Sequence, residues 1–123
     1  MAIASLEHVN LTVTDLDRCV KFFQELCGWH VRWRGTAMMG GETVHIGTDT
    51  AYLAIYTNPA ASGGHGKGRP LNHIGLLVDD LSAAEEVVTR FGFKTWGHED
   101  YEPGRRFYFY DWDGIEYEVV SYE

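Results

Sequence analysis

Two stretches of this chain are near copies of each other: LEHVNLTVTDL at residues 6–16 and LNHIGLLVDDL at residues 71–81. Leu6 matches Leu71, His8 matches His73, Val9 matches Ile74 and Leu11 matches Leu76, all at an offset of 65. Val13, Asp15 and Leu16 likewise match Val78, Asp80 and Leu81. Successive strand side chains point to opposite faces, so alternation of apolar with other residues marks a half-buried strand. On that pattern Val9, Leu11 and Val13 share one buried face, and Ile74, Leu76 and Val78 share another. His8, Asn10 and Thr12 point the other way, as do His73, Gly75 and Leu77.

Each copy runs into a helix-like pattern. Residues 16–27 place Leu16, Cys19, Val20, Phe23, Leu26 and Cys27 on one face, and Gly28 can cap it. Residues 81–91 repeat this with Leu81, Ala84, Val87, Val88 and Phe91, ending at Gly92. Asp15 and Asp80 stand where N-caps belong. After the helices GWHVRW parallels GFKTW, with the offset now 64. Three further strands are predicted in each half, about 29–36, 41–47 and 51–57, then about 93–98, 105–111 and 115–122. Asp113-Gly114 between two of them is a strong hairpin signal.

Each half therefore reads βαβββ. The expected fold class is α+β, with two βαβββ modules that can share a surface. The whole of residues 1–123 forms one domain in this reading, with module 1 at 1–57, module 2 at 71–123 and a Gly-, Ala- and Pro-rich linker at 58–70. That linker can act as hinge, lid or plain connector.

Composition narrows the function. The chain is 45% apolar and 23% charged, with a formal net charge of −8. An acidic chain whose densest positive charge is Arg105-Arg106 lacks the footprint of a nucleic-acid binder. No apolar run is long enough to span a bilayer, and the first residues lack the basic-then-apolar signal pattern, so no membrane association and a cytoplasmic location are expected. Cys19 and Cys27 are spaced wrongly for thiol chemistry and read as core-side residues.

The last strand adds a carboxylate to the histidine face. In IEYEVVSY (115–122), Ile115, Tyr117 and Val119 alternate with Glu116, Glu118, Val120 and Tyr122. The second set shares the open face, with Glu118 mid-strand and Glu116 nearer the turn, where it reads as a rim residue. At offset 64, Glu118 corresponds to Ala54. His8, His73 and Glu118 thus make a two-histidine, one-carboxylate set with open positions, which suits one catalytic divalent metal: Fe2+ first, with Mn2+, Zn2+ or Ni2+ as alternatives. His30, His45 and His98 have no role that spacing reveals. His65 lies in the linker, either mobile and exposed or folded toward the site. Trp29, Trp33 and Trp96 either pack sheet edges or line an aromatic pocket.

Over nearly its whole length the chain resembles the vicinal oxygen chelate superfamily, which includes glyoxalase I, bleomycin-resistance proteins, fosfomycin-resistance transferases and extradiol dioxygenases. The residues that carry the resemblance are LEHVNLTVTDLDRCVKFF, LNHIGLLVDDL and FYFYDWDGIEYEVV. The resemblance implies an α+β fold of two paired βαβββ modules forming a cupped mixed sheet with helices on its convex side. It also implies metal ligation by His8, His73 and Glu118, and a catalytic role for Tyr108, ten residues before the glutamate. Asn10, Tyr56 and Arg106 are the candidate substrate contacts, although Arg105 and Arg106 can equally solvate a strand start. Ala54 stands where metal-dependent glyoxalase I has a fourth ligand. GHEDYEPGRR (97–106) lacks the lysine and serines that the fosfomycin type places there.

The resemblance implies a small-molecule substrate that chelates the metal through adjacent oxygens, and a homodimer. Extradiol-dioxygenase-like ring cleavage is the favoured activity. A glyoxalase-like isomerase or lyase is the second reading, and a non-catalytic drug-binding protein the third.

Overall fold

The computed structural model describes residues 2–37, 40–101 and 104–123. Met1, Met38, Met39 and, within the 97–106 stretch, Glu102 and Pro103 lie outside the described residues. The chain divides into two compact units, residues 1–62 and 63–123, so the boundary falls inside the predicted linker.

The first unit contains β1 (His8–Thr12), α1 (Leu16–Cys27), β2 (His30–Thr36), β3 (Glu42–Gly47) and β4 (Tyr52–Thr57). The second contains β5 (Ile74–Leu77), α2 (Leu81–Arg90), β6 (Trp96–Tyr101), β7 (Gly104–Tyr110) and β8 (Glu116–Ser121). Each unit is a four-stranded mixed sheet, in the orders β1-β4-β3-β2 and β5-β8-β7-β6. The repeat's strand runs parallel to the last strand of its own unit, and the other pairs are antiparallel. The α+β class and the βαβββ plan are as the repeat predicts.

Local chemistry sets the helix ends. The Asp15 carboxylate accepts from the Arg18 N–H at 3.2 Å, and that of Asp80 from the Ala83 N–H at 3.0 Å, satisfying donors that a first turn leaves orphaned. Gly28 closes α1 in the left-handed region at φ 67°. The apolar face of α1 contributes Leu16, Cys19, Phe22, Phe23 and Leu26 to the core against Val44, Ile46 and Ile55. Phe22, outside the predicted stripe, is 1% exposed. Burial pushes the Cys27 thiol up to about 12, which leaves it inert. In the second unit Leu81, Ala84 and Val88 cover Phe107, Phe109, Tyr117 and Val119.

One strand starts later than predicted. The 93–98 reading becomes Trp96–Tyr101 because the end of α2 holds the preceding residues: the N–H groups of Gly92 and Phe93 donate to the carbonyls of Thr89 and Val88. Phe93 turns its ring onto Phe109 and Trp112 instead of pairing in the sheet.

The 112–114 turn is also where the linker is tied down. Asp111 accepts from the N–H groups of Asp113 and Ile115, both at 2.9 Å, while the Asp113 carbonyl accepts from the His65 N–H at 2.9 Å. His65 engages the Leu71 carbonyl through Nε2 at 2.9 Å, so it packs within the loop and is not free. Gly114 has φ 83°, and a Cβ there would strike the His65 carbonyl. Gly114→Ala should therefore cost about 1–3 kcal/mol. Urea unfolding, with limited proteolysis showing faster cleavage within 63–69, would check this.

Candidate metal centre

Sheet register decides which residues share the open faces. In the second unit Gly75 pairs with Glu118, Glu118 with Tyr108, and Tyr108 with Trp96. In the first, Asn10 pairs with Ala54, Ala54 with His45, and His45 with Trp33. The two rows correspond strand for strand. Trp96 and Trp33 are thus equivalent, as are Tyr108 and His45, the latter a residue that spacing alone left without a role.

His73, immediately before β5, meets the carboxylates of β8. Its Nε2 lies 3.1 Å from Glu118 Oε1, and its Nδ1 lies 2.8 Å from Asn72 Oδ1 and 3.6 Å from Glu116 Oε2. Arg106 donates to the other oxygen of Glu118 at 3.1 Å. Both side chains of that pair are largely buried, at 15% and 14% exposed. Arg106 is therefore no solvated residue at a strand start, and it fixes the glutamate in one orientation. Tyr108 stands edge-on to His73, with ring centroids 5.9 Å apart. Burial, then the charge of Glu118 and a hydrogen bond to it, raise the Tyr108 phenol above its ordinary range, so it keeps its proton at neutral pH.

Glu116 departs from the rim reading. Its side chain is 2% exposed, and Lys67 caps it with contacts of 2.9 and 3.1 Å to the two carboxylate oxygens. Lys67 comes from the Gly-rich segment, where no periodic pattern gives it a place. Its ammonium also lies 3.3 Å from Asn72 Oδ1.

That contact determines a proton. An ammonium only donates, so Asn72 presents its oxygen to Lys67, and the same oxygen faces His73 Nδ1. Nδ1 must then carry hydrogen, and in the neutral ring Nε2 carries the lone pair. A lone pair facing a carboxylate oxygen at 3.1 Å requires a proton or a metal cation between them. Ligand bonds of about 2.0–2.2 Å place adjacent donor atoms about 3 Å apart, so His73 Nε2 and Glu118 Oε1 fit two positions on one divalent ion. Among the described residues no group of three or more His, Cys, Asp or Glu side chains that could hold a metal ion is present. The pair is what the structure assembles.

In the first unit His8 Nδ1 meets Glu7 Oε1 at 2.9 Å, and its ring stacks on Tyr52 with centroids 5.0 Å apart. Tyr52 also neighbours His45 at 4.6 Å, and His45 neighbours Trp33 at 5.2 Å. A register shift between Val31 and Trp33 accompanies Arg32's approach to this group, its guanidinium 4.3 Å from the Tyr52 ring centre. Trp33 lies flat on Gly35, where a Cβ would come within 2.6 Å of its ring. Desolvation lowers the His45 pKa, favouring the neutral imidazole. Asn10 is exposed on this face. The Tyr56 hydroxyl, proposed for substrate, donates to the Gly40 carbonyl at 3.1 Å and accepts from Asn58 at 3.2 Å.

Two βαβββ units, the second with a histidine–glutamate pair beside a neutral tyrosine, define a duplicated fold. Residues 5–119 match the Glyoxalase/Bleomycin resistance protein/Dioxygenase superfamily, and the chain belongs to it. Solved structures share the fold. A glyoxylase/bleomycin resistance protein/dioxygenase domain from Frankia sp. EAN1pec superposes with TM-score 0.83 at 22% identity, covering 98% of both chains. The fosfomycin resistance protein FosX from Mesorhizobium loti gives 0.71 at 23%, covering 98% of this chain and 93% of that one. A mutant of FosX from Listeria monocytogenes, complexed with Mn(II) and a dihydroxypropylphosphonic acid, gives 0.77 at 20%, covering 96% and 92%. No curated protein sequence matches the chain. No helix among the described residues is long and apolar enough to cross a membrane.

Proposed function

We propose that this protein is a metal-dependent enzyme in which His73, Glu118 and His8 bind one divalent ion, acting on a small molecule that offers two adjacent oxygens. The observation that carries the reading is the 3.1 Å approach of His73 Nε2 to Glu118 Oε1, a spacing that a shared proton or one metal ion accounts for. Bound there, a divalent ion would supply Lewis acidity toward negative charge on a substrate oxygen. Glu118 would hold the ion through one oxygen while Arg106 keeps the other. His8, whose Nδ1 is engaged by Glu7, would be the third ligand. Tyr108, neutral and within reach of Glu118, donates a hydrogen bond or a proton to the substrate oxygen.

Ring cleavage of a catechol is the favoured reaction, with Fe2+ as the ion. The aromatic row of Trp33, His45, Tyr52 and His8 supports an aromatic substrate, since flat rings stack favourably on such surfaces. An isomerase or lyase using Mn2+, Zn2+ or Ni2+ is the second reading, favoured by the Mn(II) complex of the FosX mutant. In either case the working form is a cytoplasmic homodimer.

The test is anaerobic reconstitution with each ion, followed by oxygen uptake on catechols and by isomerase and lyase assays on hydroxycarbonyl compounds. Oxygen consumption with Fe2+ alone is the expected result, and turnover with no ion added to metal-free protein would contradict the reading. Tyr108→Phe should leave metal affinity unchanged and lower kcat by about 10²–10⁴-fold. An unchanged kcat would remove Tyr108 from the chemistry.

A further inference from the structure

In both copies of the repeat, the residue just before the histidine is a hydrogen-bond acceptor: Glu7 before His8 and Asn72 before His73. Both place an oxygen on Nδ1, Glu7 Oε1 at 2.9 Å and Asn72 Oδ1 at 2.8 Å. A carboxylate only accepts, and Lys67 obliges Asn72 to present its oxygen, so Nδ1 is the donor in both rings. Stacking on Tyr52 further fixes the plane of His8.

We propose that Glu7 and Asn72 are positioning residues that hold each imidazole as the Nδ1–H tautomer, leaving Nε2 as the metal-binding atom. The proposal rests on the metal reading above. Two different side-chain types thus present the same acceptor at matching positions of the repeat. An outer partner of this kind fixes ring orientation and raises ligand basicity, and its loss commonly weakens metal affinity 10–100-fold. Both residues are exposed, so their replacement leaves the cores untouched.

The experiment titrates Zn2+, a diamagnetic probe, into wild type, Glu7→Ala and Asn72→Leu by calorimetry, alongside the acceptor-retaining Glu7→Gln and Asn72→Asp. The first two variants should bind about 10–100-fold more weakly, and the second two within a few-fold of wild type. Long-range 1H–15N spectra of the metal-free chain, at a pH where the rings are neutral, should show Nδ1–H for His8 in wild type and a shift toward Nε2–H in Glu7→Ala. In the zinc-loaded chain His73 should show Nδ1–H. Unchanged affinity together with an unchanged His8 tautomer in Glu7→Ala would overturn the proposal. If wild type binds no Zn2+, the metal reading fails, and the metal-free spectra decide the tautomer claim by themselves.

Discussion

Glu118→Gln is expected to weaken divalent-metal binding by at least about 100-fold while leaving the chain folded. The amide keeps the size of the glutamate and an oxygen for Arg106, which donates to Glu118 at 3.1 Å, so the partly buried guanidinium retains an acceptor. What disappears is the charge opposite His73 Nε2. A neutral amide oxygen is a poor ligand, and an amide N–H turned toward Nε2 would occupy the lone pair that the ion needs. At the matching position the first unit has Ala54, so only the second sheet holds this donor. Calorimetric titration with Mn2+ and Zn2+, with thermal unfolding as the fold control, measures both halves of the expectation. Retained affinity in a folded variant would place the metal elsewhere.

The second large effect is on stability. Phe109 is fully buried and stacks with two rings, Phe93 at 5.6 Å and Tyr117 at 5.2 Å between ring centres. Phe109→Ala removes that ring near the end of β7 and leaves a cavity whose walls are themselves rigid rings. The loss of transfer energy together with an uncollapsed void should cost about 3–5 kcal/mol. Marginal stabilities of about 5–15 kcal/mol make that a large fraction of the whole. Urea denaturation should show a lower midpoint with little change in slope. A loss below about 1 kcal/mol would mean that Phe93 and Tyr117 close over the gap.

The repeat made the fold legible because each local signal agreed with the others. Asp15 and Asp80 both cap their helices, and the alternation in 6–16 and 71–81 sorts Leu11 and Leu76 inward. The histidine–glutamate pair was legible for the same reason, since strand parity alone puts His73 and Glu118 on one face. Three features were not legible. Lys67 reaches Glu116 across 49 residues from a segment with no period, so the burial of that glutamate has no local trace. The late start of β6 depends on how Phe93 packs, a tertiary preference over a strand propensity. The register shift beside Trp33 changes parity within β2, and a strict two-residue alternation misses it. The tautomer-setting pair lay within reach, since Glu7 and Asn72 stand in register in the repeat itself.

The proposed function needs one divalent ion bound by His73, Glu118 and His8. Elemental analysis of protein purified anaerobically without chelator tests it most directly. About one divalent ion per chain in wild type, absent from Glu118→Gln prepared in parallel, is the predicted result. No bound metal in wild type, even after reconstitution, would contradict the account and leave a binding protein of the same fold in its place.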